Sequence, residues 1–311
     1  MQSISLGHSP LKVSRLAYGC WRLAGSEGAA PEPSSDNGKR AIQAAVDAGY
    51  TLFDLANIYG GGRCEEIFGE ALRESPGLRD RIVIASKCGI RPGNPAAALP
   101  GRYDFSAEHI VSSVDASLKR LGVTTLDILL LHRPDYLMDP AEVATAFAGL
   151  HRAGKVREFG VSNFRPAQVA LLQQFLPMRL CVHQVEISLL QLATLEDATL
   201  DQCRAENFTP MAWSPLAGGL LGDRVNGLLP GQRGYRPDAT CEVLDRLATN
   251  YGVSRATLAL AWLLKHPAGI QPIVGSMQPA DIQALVGATE VSLSRDDWYR
   301  LLVAARGVAL P

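Results

Sequence analysis

Short apolar runs alternate with longer amphipathic ones along the 311 residues of the chain. Eight runs read as strands: Arg15–Trp21 (RLAYGCW), Thr51–Ala56 (TLFDLA), Ile82–Gly89 (IVIASKCG), Leu126–Pro134 (LDILLLHRP), Val156–Asn163, Cys181–Ser188, Phe208–Leu216 and Ile270–Ser276. Several are near-continuous apolar stretches, the pattern of parallel strands covered on both faces. The segments between them carry helix signals. Ser35–Ala48 stops at Gly49 and Ser106–Leu121 at Gly122, while Pro140–Ala153 follows Asp139 as N-cap and ends at Gly154. Arg165–Phe175, Leu195–Glu206, Ser254–Lys265 and Pro279–Ala288 continue the alternation, and Asp296–Arg306 adds a helix after the last strand.

Strands alternating with helices in this way predict an α/β fold, a (β/α)8 TIM barrel with an extra C-terminal helix. The opening Ile4–Val13 reads as an N-terminal β-hairpin that could cap the bottom of the barrel. An open doubly wound sheet is the competing architecture, but no GxGxxG follows the first strand. No linker-like stretch divides the chain, so residues 1–311 are expected to form a single domain. Three long Gly- and Pro-rich connections, Ala24–Ser34, Ile90–Phe105 and Leu221–Ala239, all follow strands. Such loops gather at the C-terminal face of a barrel, where sites are built.

Composition narrows the partners. Thirty basic residues against 31 acidic ones, with no basic stripe, argue against a nucleic-acid surface or a polybasic membrane anchor. Cys20, Cys64, Cys88, Cys181, Cys203 and Cys241 show no CxxC spacing, which opposes a zinc site and a disulfide framework. His109, His151, His183 and His266 lack metal-ligand spacing, so no metal is expected. The N-terminus has no apolar signal core, and no window reaches the ~18 apolar residues of a membrane span. A cytoplasmic protein with a small-molecule partner is expected, as a monomer or small homo-oligomer.

Chemistry-capable residues stand at strand ends. Asp54 comes late in TLFDLA with Tyr59 just beyond it, Lys87 ends IVIASK, and His132 ends LDILLLH. Singly, each has an ordinary reading: a helix cap, a packed loop tyrosine, a structural ion pair and a satisfied core histidine. In a closed barrel, however, all four converge on the mouth, and a buried charge there needs partners. The set suits carbonyl reduction, which requires a hydride at carbon and a proton at oxygen. A tyrosine with a pKa near ~10 is a poor acid, and an adjacent ammonium lowers that value by favouring the phenolate. Asp54 would hold Lys87, and His132 could donate to the substrate oxygen.

These segments resemble the aldo-keto reductase family across essentially the whole chain, most nearly a bacterial oxidoreductase branch. FDLANIYGGGRCEEIFGEAL is similar to the family's Asp- and Tyr-bearing signature, with Gly69 in the expected place. LDILLLHRPD resembles its His-bearing strand, IVIASKCG its Lys-bearing strand, and GKVREFGVSNF its GKVRxxGVSNF segment. The resemblance implies Asp54, Tyr59, Lys87 and His132 as the catalytic set. It also implies a nicotinamide nucleotide across the barrel mouth without a Rossmann domain. Ser162 and Asn163 would bond the carboxamide with help from Gln184, and Trp213 would stack on the nicotinamide. Backbone groups from Ser214 through Leu216 and Gly218 to Leu220 would meet the pyrophosphate. Gly275, Ser276 and Gln278 would line the cofactor after the eighth strand. Trp21 would join Tyr59 and His132 in the substrate wall.

One departure concerns the cofactor. Met277 and Gln278 stand where the family usually carries a cation for the 2′-phosphate of NADP, and Asp281 would repel one. NADP(H) is preferred on family grounds and NAD(H) is possible, with Arg224, Arg233 or Arg236 as substitute cations. Gly60-Gly61-Gly62 lacks the Lys-Ser/Thr of a phosphate loop and reads as a sharp turn beside Tyr59. The Glu65-Glu66 pair reads as a helix N-terminus rather than a catalytic dyad. Two other functions compete with reduction: a Schiff-base aldolase using Lys87, and a nicotinamide-nucleotide-binding sensor with slow or no turnover.

Overall fold

The computed structural model describes residues 1–25, 35–223, 235 and 237–311. A hairpin of β1 (Ser3–Ser5) and β2 (Lys12–Ser14) opens the chain, Ser3 pairing with Ser14. The barrel strands are β3 (Ala17–Gly19), β4 (Leu52–Asp54), β5 (Val83–Cys88), β8 (Leu126–Leu131), β9 (Val156–Ser162), β10 (Val182–Glu186), β11 (Thr209–Trp213) and β12 (Gln271–Val274). Each pairs in parallel with its neighbours, and β12 returns to β3, so the sheet is closed. The open doubly wound sheet is therefore not the fold. The remaining strands, β6 (Ile90–Arg91) and β7 (Arg102–Tyr103), form a small antiparallel pair inside the long loop after β5.

Helices α1 (Ser35–Asp47), α2 (Arg63–Glu74), α3 (Ala107–Leu121), α4 (Pro140–Arg152), α5 (Pro166–Phe175) and α6 (Thr199–Glu206) follow successive strands. After β11 come α7 (Pro237–Tyr251) and α8 (Arg255–Leu264), and after β12 come α9 (Pro279–Ala284) and α10 (Arg295–Arg306). Two helices exceed the sequence expectation. For α2, only its acidic start had been read, and α7 takes over the end of the segment assigned to a long loop. The α7 signal was present as the buried set Thr240, Leu244, Leu247 and Ala248, one face of a helix. The last helix docks through stacked rings: Trp262 and Trp298 lie 5.0 Å apart, each indole N–H donating to the other's carbonyl at 3.1 and 3.0 Å.

The two-residue period of the strands decides what meets at the barrel mouth. Inward positions run Leu52–Asp54 on β4, Val83–Ala85–Lys87 on β5, Val182–Gln184–Glu186 on β10 and Met211–Trp213 on β11. Their lower members join Ala17, Ile128, Leu130 and Ile273 in the apolar barrel interior. Leu6 and Val13 from the hairpin belong to the same cluster and plug the N-terminal end, as expected. Every polar member thus sits on an apolar floor, at the C-terminal end. Gly160, inward on β9, keeps neighbouring chains close: a Cβ there would lie 2.4 Å from the Val182 side chain and 2.8 Å from its carbonyl.

The outward positions face the helices. His183 is fully buried among them, its ring offered only a poorly aligned contact with the Phe164 backbone. Burial lowers its pKa to about 4, against the opposing pull of Asp197. An unfolded histidine takes up its proton near pH ~6.5, so the folded state is at full advantage above that pH and loses it as pH falls toward 4. The expected loss is roughly 3 kcal/mol. Urea midpoints measured from pH 8 to pH 4.5 should fall, and His183→Leu should make the slope shallower without abolishing it, since His132 contributes over the same range; an unchanged slope in the variant would disprove this origin.

Candidate active site

The chain leaves β4 at Asp54 and stays against β5, Leu55 N donating to Ala85 O and Asn57 N to Lys87 O. It then turns through Tyr59–Gly62, where Gly60, Gly61 and Gly62 have φ of +56°, +64° and +99°. Side chains with a Cβ rarely adopt that backbone, so three glycines are what allow the chain to fold back with Tyr59 over the mouth. Beyond the turn, Glu65 is fully buried on α2, with Ser86 Oγ donating to it at 2.6 Å and Arg120 Nε at 2.7 Å. Its role is structural: it ties α2 to α3 and β5.

Lys87 is the centre of the cluster. Its Nζ donates to Asp54 Oδ2 at 2.7 Å, to Leu55 O at 2.7 Å and to Tyr59 OH at 3.1 Å. The other Asp54 oxygen accepts from Gln184 Nε2 at 2.8 Å. Both carboxylate oxygens are therefore satisfied in a site where an unpaired charge would be costly. His132 lies one residue past β8, its ring packed edge-on against Tyr59 with centroids 5.8 Å apart. Its Nδ1 is buried without a partner, which leaves Nε2 as the nitrogen facing the cleft.

Burial and charge set the protonation states. Burial, with the Lys87 and Arg133 charges, depresses the His132 pKa to about 2, so the ring is neutral at working pH. Burial also raises the Tyr59 phenol, while the Lys87 ammonium opposes the rise without cancelling it. The neighbouring ammonium alone would give a net lowering, and desolvation outweighs it. Burial would lower Lys87, but Asp54, Tyr59 and their hydrogen bonds outweigh it and hold the ammonium above its ordinary value.

A second hydrogen-bonded group lies beside the first. Trp213 Nε1 donates to Asn163 Oδ1 at 3.0 Å, and Asn163 Nδ2 donates to Ser162 Oγ at 2.7 Å and His132 O at 3.2 Å. Both Asn163 amide hydrogens are thus engaged within the protein. The two groups share one cleft of about 770 Å3, inside the ~300–1,000 Å3 range of small-molecule and cofactor sites.

Its walls include Trp21, Asp54, Tyr59, His132, Ser162, Asn163, Gln184 and Trp213, and also Ser214, Leu216, Gly218, Gly275, Ser276 and Gln278. Lys87 lies behind this surface. Leu220 packs against the outer core instead of lining the cleft. Trp21 stands at the rim, 54% exposed. Ser276 Oγ donates to Asp281 Oδ2 at 3.0 Å and accepts from Gln278 N at 3.2 Å. Arg224, Arg233 and Arg236 lie outside the described residues.

The lining residues absent from the sequence analysis include Arg22, Arg133, Glu186 and Tyr235. Glu186 carried a usable signal, since it lies two residues beyond Gln184 on the same strand face. Arg133 directly follows His132. Arg22 carried none, because its contact is with Gly275 O, 253 residues away, at 3.3 Å.

A closed (β/α)8 barrel with a polar, hydrogen-bonded centre at its C-terminal mouth defines an enzyme-type barrel site. The aldo/keto reductase family model matches residues 15–303. The 6-dehydroglucose reductase of Novosphingobium aromaticivorans is 42% identical over 98% of this chain and 96% of its own. Oxidoreductase YdhF of Escherichia coli is 40% identical over the full length of both chains. The crystal structure of a thermostable aldo-keto reductase, Tm1743, in complex with the inhibitor epalrestat superposes with a TM-score of 0.82 at 25% identity, over 98% of this chain and 100% of that one. The chain belongs to the aldo/keto reductase family and is an NAD(P)H-dependent oxidoreductase. Among the described residues no helix is long and apolar enough to cross a membrane.

Proposed function

We propose that this protein reduces small aldehydes and ketones to alcohols, reversibly and with NADPH, using Tyr59 as general acid. The observation that carries the reading is Lys87 Nζ held between Asp54 and Tyr59 at 2.7 and 3.1 Å, beside a neutral His132 at the wall of the cleft. The nicotinamide cofactor, when bound, supplies a hydride to the carbonyl carbon. His132 donates from Nε2 to the substrate oxygen and orients it. Tyr59, kept protonated by its raised pKa, gives that oxygen its proton. The ammonium of Lys87 then stabilises the phenolate left behind, and Asp54 and Gln184 keep the ammonium in place.

The donor set fits a dinucleotide. Trp213 offers a ring face. Ser162 and Gln184 would border the place for a carboxamide, and Asn163, whose own amide is engaged by Trp213, Ser162 and His132 O, would hold that wall in position. The Ser214–Gly218 segment offers backbone N–H groups. Arg22, brought to Gly275, supplies the phosphate-side cation that the segment after β12 lacks. A contact of Arg22 with the 2′-phosphate would favour NADP(H) over NAD(H), against the opposing charge of Asp281 on the same wall. All six cysteines are unpaired thiols, which suits the reducing cytoplasm where we place the protein.

Lys87 has its three donor directions filled and stays charged, which favours the ammonium role over Schiff-base chemistry. The test is the fall of NADPH absorbance with a panel of aldehydes and ketones, repeated with NADH. The two 6-dehydroglucose reductases among the relatives support adding a dehydrohexose to the panel. Consumption of NADPH in proportion to alcohol formed is expected. Tight NADPH binding without turnover of any carbonyl would favour the sensor instead.

A further inference from the structure

Arg133 is a cation in the cleft with no assignment in the reaction above. Within the described residues it makes no hydrogen bond and no ion pair. Its guanidinium rests over the Trp213 ring, 5.5 Å from the centroid. The other cation of the described lining, Arg22, donates to Gly275 O at 3.3 Å on the wall where the phosphate end of the proposed dinucleotide would lie. Arg133 begins one residue after His132, the residue set against the substrate oxygen. Both residues line the one cleft, so a carbonyl compound bound at His132 would share that space with the Arg133 donors.

The wall beside Arg133 supplies the matching acceptor. Glu186 lines the same cleft, and Tyr235 OH donates to its Oε1 at 2.8 Å, which fixes the carboxylate and leaves the second oxygen to accept. Burial raises the Glu186 carboxyl, and the Tyr235 hydrogen bond and the Arg133 charge pull it back. Glu186 and Arg133 are thus electrostatic neighbours although they form no direct ion pair. A donor fork and a held acceptor of opposite charge match a hydroxyl group, which both donates and accepts. An anionic substituent would be drawn by Arg133 but repelled by Glu186, and an unsubstituted alkyl chain would leave both groups unpaired at a cost.

We infer that Arg133 and the Tyr235-held Glu186 form a substrate-specificity pair that selects polyhydroxylated carbonyl compounds over plain aldehydes. The inference rests on the reductase reading of the same cleft. Specificity built on hydrogen bonds to a substrate hydroxyl discriminates sharply against the analogue lacking it.

The experiment compares kcat/KM for glyceraldehyde, propionaldehyde and succinic semialdehyde in wild type, Arg133→Met and Tyr235→Phe. The three probes carry hydroxyls, no substituent and a carboxylate. Wild type should favour glyceraldehyde over propionaldehyde. That ratio should fall by ~10-fold or more in Arg133→Met and by a smaller factor in Tyr235→Phe, which keeps the carboxylate but frees it to move. A glyceraldehyde-to-propionaldehyde ratio that stays the same in Arg133→Met overturns the pair, whether the absolute rates hold or fall together. Arg133-dependent selection of succinic semialdehyde instead overturns the hydroxyl assignment in favour of an anion site. Failure of wild type to reduce any of the three with NADPH overturns the reductase reading, and the pair with it.

Discussion

Replacing Tyr59 with Phe should cut kcat by about 10²–10⁴-fold while leaving NADPH binding and stability nearly unchanged. The substitution removes one oxygen and keeps the ring, so the edge-on packing on His132 survives. Lys87 loses one of three acceptors but retains Asp54 Oδ2 and Leu55 O, both at 2.7 Å. No buried charge is left alone, which is why the fold should tolerate the change. What disappears is the hydroxyl proposed as the proton donor. Because burial holds the phenol above its ordinary pKa, wild-type reduction should stay level through neutral pH and decline only in the alkaline range. In Tyr59→Phe that alkaline limb should vanish from the residual rate. A variant within about threefold of wild type would remove Tyr59 from the reaction.

The second large effect belongs to Lys87. Lys87→Met should lose about 10²–10³-fold in rate, because the phenolate forming on Tyr59 would have no cation beside it. It should also lose stability. Asp54 is 4% exposed and would keep only the Gln184 hydrogen bond, leaving a buried carboxylate uncompensated. Breaking a buried pair from one side costs about 3–5 kcal/mol. The two losses can be separated. Adding Asp54→Asn to Lys87→Met removes the stranded charge, so urea denaturation should show most of the stability restored. The rate should not return. Recovery of both together would mean that Lys87 acts only as a structural partner of Asp54.

Much of the site is legible in the sequence. Asp54, Lys87 and Gln184 occupy inward positions of their strands, above apolar residues at the same two-residue spacing, and Tyr59 is followed by glycines that only a sharp turn requires. The pairing among them was only partly legible. Gln184 and Asp54 are 130 residues apart, yet they share a hydrogen bond of 2.8 Å because a closed sheet places β10 across from β4. The same holds for Arg22 at Gly275 and for Trp213 at Asn163. The Tyr59 pKa shows the limit most clearly. A lysine nearby suggests a lowered value, but the sign follows from the balance of desolvation against charge, and the depth of burial is a tertiary quantity.

Local sequence determined which segments are strands, which face of each is apolar, where helices begin and stop, and that polar residues end the inward stripes. Those properties depend on spacing of 2 and 3.6 residues and on the backbone freedom of glycine, all short-range. Tertiary structure decided which stripes face one another, which donor meets which acceptor, and which cations, Arg22 and Arg133, reach the cleft. Closure of the barrel sets those contacts through strand register and burial, and neither is encoded within any one segment of the chain.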